Sequence, residues 1–266
     1  MPFAAVNGIS LHFEEYGTGD PVVLVTGSGG RGRLWTPHQV PALVAAGYRA
    51  ITVDNRGVPP TTSGPDGFTV QDMAADIAGL IEGLRTGPCR VVGFSLGGII
   101  VQQLLLAWPG LVSQAVLMAT RGRVDVLRAA LAAAEAEFVL SGVTLPPRYA
   151  AVLRAMHYLS PCTQNDDQRI KDWLELFEMS PADPAVSRAH RDLDVPGNQL
   201  EEYRAIRTRC LVIGFADDLI TPPRLCREVA EHIPGSDYAE VAGCGHYGYL
   251  EEPGRVNSLI LDFFSG

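Results

Sequence analysis

The hydrophobic positions of the first 120 or so residues follow two alternating rhythms. Short, nearly continuous apolar runs are typical of strands that are buried on both faces of a sheet. Between them, apolar residues recur three and four positions apart, which predicts helices. This alternation predicts a parallel sheet with helices on both faces, which is an α/β fold. The predicted strands lie at 21–26, 48–54, 89–94 and 113–120, and the predicted helices near 36–46 and at 70–85 and 96–108.

The N-terminal segment has a different pattern. "PFAAV" and "ISLHFEEY" flank the dipeptide Asn7-Gly8. Asn-Gly suits the tight type I′ turn of a hairpin, in which both central residues take positive φ. We therefore expect two antiparallel strands before the first buried strand, and a mostly parallel sheet of eight strands in all.

The alternation stops near Arg123 and resumes near Arg207. The intervening stretch contains no apolar run of the buried-strand type, and its patterns predict only helices. We expect an α/β core of residues 1–122 and 208–266, and a helical insertion, residues 123–207, that covers the carboxyl edge of the sheet as a cap. The helices predicted in the insertion lie at 124–140, 148–158, 166–179 and 198–206, and the elements after it are a strand at 209–215, a helix at 223–233, a strand at 236–243 and a helix at 253–265.

Composition narrows the classes of partner. The chain has 266 residues, of which 47% are hydrophobic, so it has the material for a large core. A net charge of −9 argues against a nucleic acid or an anionic membrane surface as partner. Five cysteines without a CxxC pair argue against a disulfide framework or a zinc site. The chain starts without a signal-peptide pattern and has no apolar run of membrane-spanning length, so we expect a cytoplasmic protein that acts on a small molecule, with homo-oligomerisation left open.

The stretch "VVGFSLGG" at 91–98 carries the first candidate for chemistry. It places Ser95 in a G-x-S-x-G pattern between a buried strand and an apolar helix, the context of a nucleophile elbow. Glycines two residues to either side of the serine allow the sharp turn to pack against its neighbours. The helix that begins after the serine stabilises negative charge, and the backbone N–H of Leu96 is a candidate oxyanion donor.

A histidine and an acid follow predicted strands further along the chain. His246 comes after a Gly-Cys-Gly turn in "VAGCGHYGYLEEP", and neutral imidazole is the usual base for a serine. The stretch "VIGFADDLITPP" places Asp217 and Asp218 at the end of a strand, and Thr221 caps the helix that follows. The chain order is then Ser, Asp, His. Asp125, soon after the strand at 113–120, is a third candidate for the acid.

With these motifs the sequence resembles the α/β-hydrolase family, with a cap inserted after the sixth strand. "GFSLGG", "GCGH", "GFADDLITPP" and "VDNRG" are the matching segments, and the resemblance covers nearly the whole chain. It implies acyl-transfer chemistry without a cofactor, and a second oxyanion N–H from the loop "TGSGGRG". That loop departs from the family because Thr26-Gly27 replaces the usual His-Gly. The resemblance implies that Ser28 supplies the second N–H.

The family's spacing rules disagree about the acid. Counting forward from Gly214 selects Asp217, whereas counting back from Pro222 selects Asp218. Because the Asp-Leu-Ile-Thr-Pro run matches the family better, we favour Asp218 and keep Asp217 as the alternative.

The expected function is that of a serine hydrolase, with Ser95, Asp218 and His246 as catalytic residues. Its expected substrate is an ester, thioester or lactone of small to medium size and hydrophobic character. The same triad serves C–C hydrolysis, perhydrolysis of the haloperoxidase type, acyl transfer and elimination in relatives, so these reactions form the alternative.

Two other function classes compete with a serine hydrolase. "GSGGRG" at 27–32 satisfies the dinucleotide fingerprint, with Asp54 as the ribose acid. Pro37 and Pro41 oppose this interpretation, because they interrupt the helix that would bind the phosphates. A receptor without catalysis is the other class, and the presence of all three triad residues argues against it.

Overall fold

A single mixed sheet of eight strands organises the chain. A computed structural model describes residues 2–64, 67–180, 189, 190, 193 and 197–266. The strand order is β1-β2-β4-β3-β5-β6-β7-β8. Strands β3 to β8 are parallel, while β2 pairs antiparallel with both β1 and β4. The strands are β1 (Phe3–Val6), β2 (Ile9–Tyr16), β3 (Asp20–Val25), β4 (Tyr48–Val53), β5 (Cys89–Phe94), β6 (Val112–Met118), β7 (Arg209–Phe215) and β8 (Asp237–Val241).

Helices cover both faces of the sheet. Successive residues of the central strands point to opposite faces, so each buried strand contributes to two separate cores. Val91 of β5 lies in one core and Val92 in the other. The first core packs under α2 (Val70–Gly83), α3 (Leu96–Ala107) and α8 (Pro223–His232), and the second under α1 (Gln39–Ala45) and α10 (Pro253–Ser265).

The predicted fold class is confirmed, and so are the strands and helices of the sheet. The hairpin turns at Asn7-Gly8, with φ of 43° and 75° as a type I′ turn requires. The predicted helix at 198–206 is wrong. That segment forms only a 3₁₀ turn at Glu202–Ala205. Residues 197–199 instead pair with residues 122–124, through an antiparallel bridge of Arg123 with Asn198 and backbone hydrogen bonds on either side of it.

The insertion between β6 and β7 includes, within its described residues, the helices α4 (Val126–Leu140), α5 (Pro147–Tyr158), α6 (Pro161–Gln164) and α7 (Asp167–Met179). Helices α5 and α7 share a small apolar cluster of their own around Ala155 and Phe177. Tyr247, from the loop after β8, packs into this cluster and stacks on Trp173 with ring centroids 6.0 Å apart. The insertion is thus joined to the core through the segment that carries His246. A short helix of the core, α9 (Gly248–Glu251), follows that segment.

The described part of the chain contains no helix that is both long enough and apolar enough to cross a membrane. All five cysteines are free, and of these only Cys162 is exposed.

Candidate active site

Ser95 lies at a sharp turn between β5 and α3. Its backbone has φ 54° and ψ −117°, a strained conformation for a residue with a side chain. Two glycines make the turn sterically possible. A Cβ on Gly93 would lie 2.5 Å from the carbonyl oxygen of Gly97, and a Cβ on Gly97 would clash with the carbonyl oxygen of Val25. The turn holds Ser95 half-buried above the end of the sheet, directly before the N-terminus of α3.

His246 lies against Ser95. The Oγ of Ser95 is 3.1 Å from Nε2 of His246, and Nδ1 of the same ring is 2.7 Å from Oδ2 of Asp218. The imidazole is 3% exposed, and Phe94 and Tyr158 pack against it with ring centroids 5.0 and 5.5 Å away. Because a carboxylate only accepts hydrogen bonds, Nδ1 carries the proton and Nε2 is free to accept one from the serine.

The carboxylate of Asp218 is held in a fixed orientation. Its Oδ1 accepts hydrogen bonds from the backbone N–H groups of Ile220 and Thr221, both at 2.8 Å. The residue is 2% exposed, so these bonds, together with the one to His246, replace the water that the charged group loses. Oδ2 therefore points at the imidazole without freedom to rotate.

The other two candidate acids do not reach the imidazole. The backbone N–H of Asp217 donates to the carbonyl of Cys244, and its half-buried side chain makes no hydrogen bond among the described residues. Asp125 caps α4 by accepting from the N–H of Arg128, and its carboxylate pairs with the guanidinium groups of Arg128 and Arg224. Burial would raise the pKa of Asp125, but these hydrogen bonds and charges outweigh it and lower the pKa to about 2.

The two expected oxyanion donors flank Ser95. Leu96 is the first residue of α3, so its N–H has no partner within the helix. Ser28 follows Gly27, which packs so closely on the elbow that a Cβ there would lie 3.1 Å from the Cβ of Ser95. Neither N–H has an acceptor among the residues that the structure describes. Both loops lie where β3 has β4 on one side and β5 on the other, the topological switch point at which open α/β sheets bind ligands.

The strand order and the Ser, Asp, His arrangement agree with a match to a known protein family. The model of the family described as "Alpha/beta hydrolase family" matches residues 22–259. The chain belongs to the alpha/beta hydrolase family.

Similar hydrolases carry different names. A protein of Mycobacterium tuberculosis with the provisional name "non-heme bromoperoxidase BpoC" is 50% identical, over 97% of this chain and 98% of its own. Its crystal structure has a TM-score of 0.91, at 49% identity over 96% and 95% of the two chains. The provisionally named "carbamate hydrolase RutD" of Variovorax paradoxus is 27% identical over 96% of both chains. A thermophilic esterase from Thermogutta terrifontis has a TM-score of 0.82, at 25% identity over 100% of this chain and 98% of that one.

In this hydrolase the loop that contains Thr26 and Gly27 is held by hydrogen bonds with residues outside the loop. The side-chain amide of Asn55 donates to the carbonyl of Thr26 at 2.9 Å. The N–H of Gly29 donates to Nδ1 of His190 at 3.0 Å, and Nε2 of His190 donates to the carbonyl of Arg56 at 2.7 Å. A histidine of the insertion thus bridges the loops after β3 and β4, one residue from Ser28.

His190 is buried and neutral in this arrangement. Its Nδ1 must accept from Gly29, so it cannot carry a proton as well. Burial lowers the pKa of His190 below its ordinary value, because the charged form would lose its water. Since the unfolded chain binds that proton more readily, the stability that His190 contributes is present above about pH 6.5 and is lost as the pH falls towards the lower folded pKa.

We expect His190→Gln to remove this part of the pH dependence. An amide accepts and donates hydrogen bonds without titrating, so the free energy of unfolding should fall less between pH 7 and pH 5 than in the wild type. Urea unfolding at the two pH values measures the difference. His157→Gln, at an exposed position of α5, is the matched control and should follow the wild type. The same decline in His190→Gln as in the wild type would contradict the role given to His190.

A buried carboxylate positions the loop that carries His246. Glu251 is 4% exposed, and its Oε2 accepts from the N–H of Gly245 at 2.7 Å. Its Oε1 accepts from both the N–H and the hydroxyl of Ser160, each at 2.8 Å. Gly245 also packs on the backbone of residues 158–160, because a Cβ there would lie 2.6 Å from the carbonyl oxygen of Tyr158. One carboxylate thus ties the insertion to the residue before His246.

Sequence patterns did not indicate His190 or Glu251, because neither lies in a recognisable motif. Asn55, in "VDNRG" at the end of β4, was the only one of these supporting residues with a signal in the sequence.

Asp54 is the residue that the dinucleotide interpretation assigns to the ribose, but its carboxylate already accepts hydrogen bonds within the protein. Its two carboxylate oxygens accept from the N–H of Gly32 and from Nδ1 of His12, both at 2.7 Å. The loop at 27–32 leads into a four-residue 3₁₀ helix, and α1 starts only at Gln39. Among the described residues there is also no cluster of three or more His, Cys, Asp or Glu side chains suited to a metal ion.

Proposed function

We propose that this hydrolase cleaves an ester, thioester or lactone of a small to medium hydrophobic substrate through an acyl-enzyme on Ser95. The observation that carries the proposal is the continuous chain of contacts from Ser95 Oγ to His246 Nε2 and from His246 Nδ1 to Asp218. A serine hydroxyl is a weak nucleophile unless a neighbouring base accepts its proton. These contacts supply that base and fix its tautomer.

In the acylation step, Nε2 of His246 takes the proton of Ser95 as Oγ attacks the substrate carbonyl. The N–H groups of Ser28 and Leu96 stabilise the oxyanion, and one such donor is typically worth about 3–4 kcal/mol. Asp218 stabilises the imidazolium by its charge. The imidazolium then protonates the leaving group, and the acyl group stays on Ser95.

In the second step, His246 removes a proton from water, which attacks the acyl-enzyme. The imidazolium then returns the proton to Oγ of Ser95 as the acid leaves. The rings of Phe94 and Tyr158 exclude bulk water from the imidazole and so strengthen the charge interactions within the triad.

We propose that the insertion, residues 123–207, acts as a cap that selects the substrate. Its candidates for the pocket wall are the apolar residues Phe138, Tyr149, Met156, Trp173 and Phe177. Trp173 and Phe177 contact Tyr247, next to His246, and so stiffen the base of the cap. Phe138, Tyr149 and Met156 are 41%, 54% and 55% exposed, which makes them the better candidates for contact with a substrate.

Perhydrolysis is a second candidate, favoured by the name of the 50% identical relative. Hydrogen peroxide would replace water in the second step, so that the acyl-enzyme yields a peroxy acid and free Ser95. The peroxy acid would then oxidise bromide, with one proton, to hypobromous acid and return the carboxylic acid. The same triad would serve both reactions, because only the attacking oxygen nucleophile differs.

Covalent labelling tests the shared intermediate, and a substrate panel separates the two reactions. We expect a fluorophosphonate probe to modify the wild-type protein once, on the tryptic peptide that contains Ser95, as read by mass spectrometry. We expect turnover of short aryl esters and acyl thioesters without peroxide. Bromination of monochlorodimedone that requires both peroxide and a carboxylic acid would favour perhydrolysis. Labelling at another residue would contradict both candidates.

A further inference from the structure

Arg121 lies in the loop that follows β6, beside the nucleophile elbow. The N–H of Ser95 donates to the carbonyl of Met118 at 2.9 Å. Arg121 is three residues further on, so its Cα is within roughly 11 Å of the Cα of Met118. Thr120 packs on the first turn of α3, where a Cβ on Gly98 would lie 2.7 Å from the Cβ of Thr120. Arg121 therefore lies at the same edge of the sheet as Ser95.

The electrostatic neighbours of Arg121 lie at the entry to the insertion and in the 3₁₀ turn at Glu202–Ala205. They are Tyr203 of that turn, and Asp125 and Arg128 at the start of α4. Arg128 in turn donates to the carbonyl groups of Leu219 and Ile220, in the loop that carries Asp218. Arg121 thus lies between the nucleophile elbow and the first residues of the insertion.

The guanidinium of Arg121 makes no hydrogen bond and no ion pair with any residue that the structure describes. The nearby carboxylate of Asp125 is already engaged by Arg128 and Arg224. Arg56, which is more deeply buried than Arg121, shows the usual solution, because it binds both oxygens of Asp76 at 2.6 and 2.8 Å.

An unpaired cation in this position is costly. Arg121 is half-buried, and burial lowers the pKa of its guanidinium, which loses water without gaining an acceptor. Arginine nevertheless stays protonated near neutral pH. A fold tolerates such a charge where a ligand supplies the missing anion, and a planar guanidinium matches a carboxylate in two parallel hydrogen bonds.

We propose that Arg121 binds a carboxylate of the substrate, so that the preferred substrates are carbonyl compounds with a second, anionic carboxylate, such as half-esters of dicarboxylic acids. The inference rests on the proposed function for the position of the carbonyl at Ser95. It adds one charged contact to an otherwise hydrophobic substrate class, as is common in small-molecule sites. The carboxylate takes no part in bond making and serves to orient the substrate.

Binding tests the inference without turnover. In the Ser95→Ala protein, we expect isothermal titration calorimetry to give at least tenfold tighter binding of monomethyl glutarate than of dimethyl glutarate. Adding Arg121→Leu should abolish this preference, and Arg121→Gln serves the same purpose if the leucine variant melts early. Arg148→Leu removes the same charge from an 87% exposed side chain of α5 and should keep the preference. Equal binding of the two esters to the parent, binding of neither at millimolar concentration, or a preference that survives Arg121→Leu would overturn the proposal.

Turnover provides the second readout. We expect the wild type to have a higher kcat/KM for monophenyl glutarate than for phenyl methyl glutarate. Arg121→Leu should lower the first value about 30-fold and leave the second within threefold, as loss of a charge-assisted hydrogen bond predicts. Equal losses for both esters would indicate a structural role and overturn the proposal. If the wild type hydrolyses neither ester, the proposed function fails, while the calorimetry still decides the role of Arg121.

Discussion

Ser95→Ala is expected to lower ester turnover by about 10⁴- to 10⁶-fold, the range found when a nucleophilic serine is removed from a triad. Alanine lacks the Oγ that lies 3.1 Å from His246, so no acyl-enzyme forms. It keeps the Cβ on which Gly27 packs, so the elbow and the fold should remain intact. The measurements are kcat on an aryl ester, fluorophosphonate labelling and the melting temperature, which should change by no more than a few degrees.

The control for Ser95→Ala is Ser258→Ala, at an exposed position of α10 on the second face of the sheet. That variant removes a hydroxyl of the same kind and should keep both turnover and labelling. Turnover that persists in Ser95→Ala at more than a hundredth of the wild-type rate would mean that another group is the nucleophile.

Asp218→Asn is expected to lower kcat by about 10⁴-fold, as in triads whose acid becomes an amide. The reason is the fixed orientation of the side chain. Its Oδ1 would still accept from the N–H groups of Ile220 and Thr221, so the new NH₂ group would face Nδ1 of His246. Two donors cannot share that contact. The imidazole would therefore move its proton to Nε2 and lose the lone pair that accepts the proton of Ser95.

Asp217→Asn is the matched control, since it makes the same chemical change one residue away. Its side chain does not contact His246, and its backbone bond to Cys244 is unaffected by the substitution. Turnover should remain within about threefold of the wild type. The reverse pattern, with a large loss only in Asp217→Asn, would assign the acid to the other residue. A pH profile of kcat for both variants would detect a change in the base itself.

The sequence predicted the sheet well because the hydrophobic pattern of each strand reflects which of its faces are buried. "VVLV" in β3 and "VVGF" in β5 are apolar on both faces, which only a strand covered on two sides requires. Asn7-Gly8 specified its turn through the positive φ that both residues tolerate. The helix prediction for 198–206 was wrong because residues 197–199 pair with residues 122–124. The two segments are about 75 positions apart, so a local sequence pattern contains no information about their pairing.

The residues of the candidate site were likewise predictable only in part. Ser95 and His246 follow recognisable local motifs, because a strained turn and a glycine loop each need particular residues at fixed spacing. Local motif spacing did not decide between Asp217 and Asp218, because the two spacing rules of the family select neighbouring residues. In the fold, Asp218 turns inward to His246, while Asp217 uses its N–H to join the loop of Cys244.

The sequence by itself determined the α/β class, the family resemblance, and the elbow and histidine loops, because these depend on hydrophobic period and on residues with special backbone conformations. Only the tertiary structure decided which acid faces the imidazole, that His190 and Asn55 hold the loop that lacks the usual histidine, and that Arg121 has no partner among the described residues. Each of these depends on contacts between segments far apart in the chain. Such contacts are set by how the sheet and the insertion pack together, and no local pattern of residues encodes them.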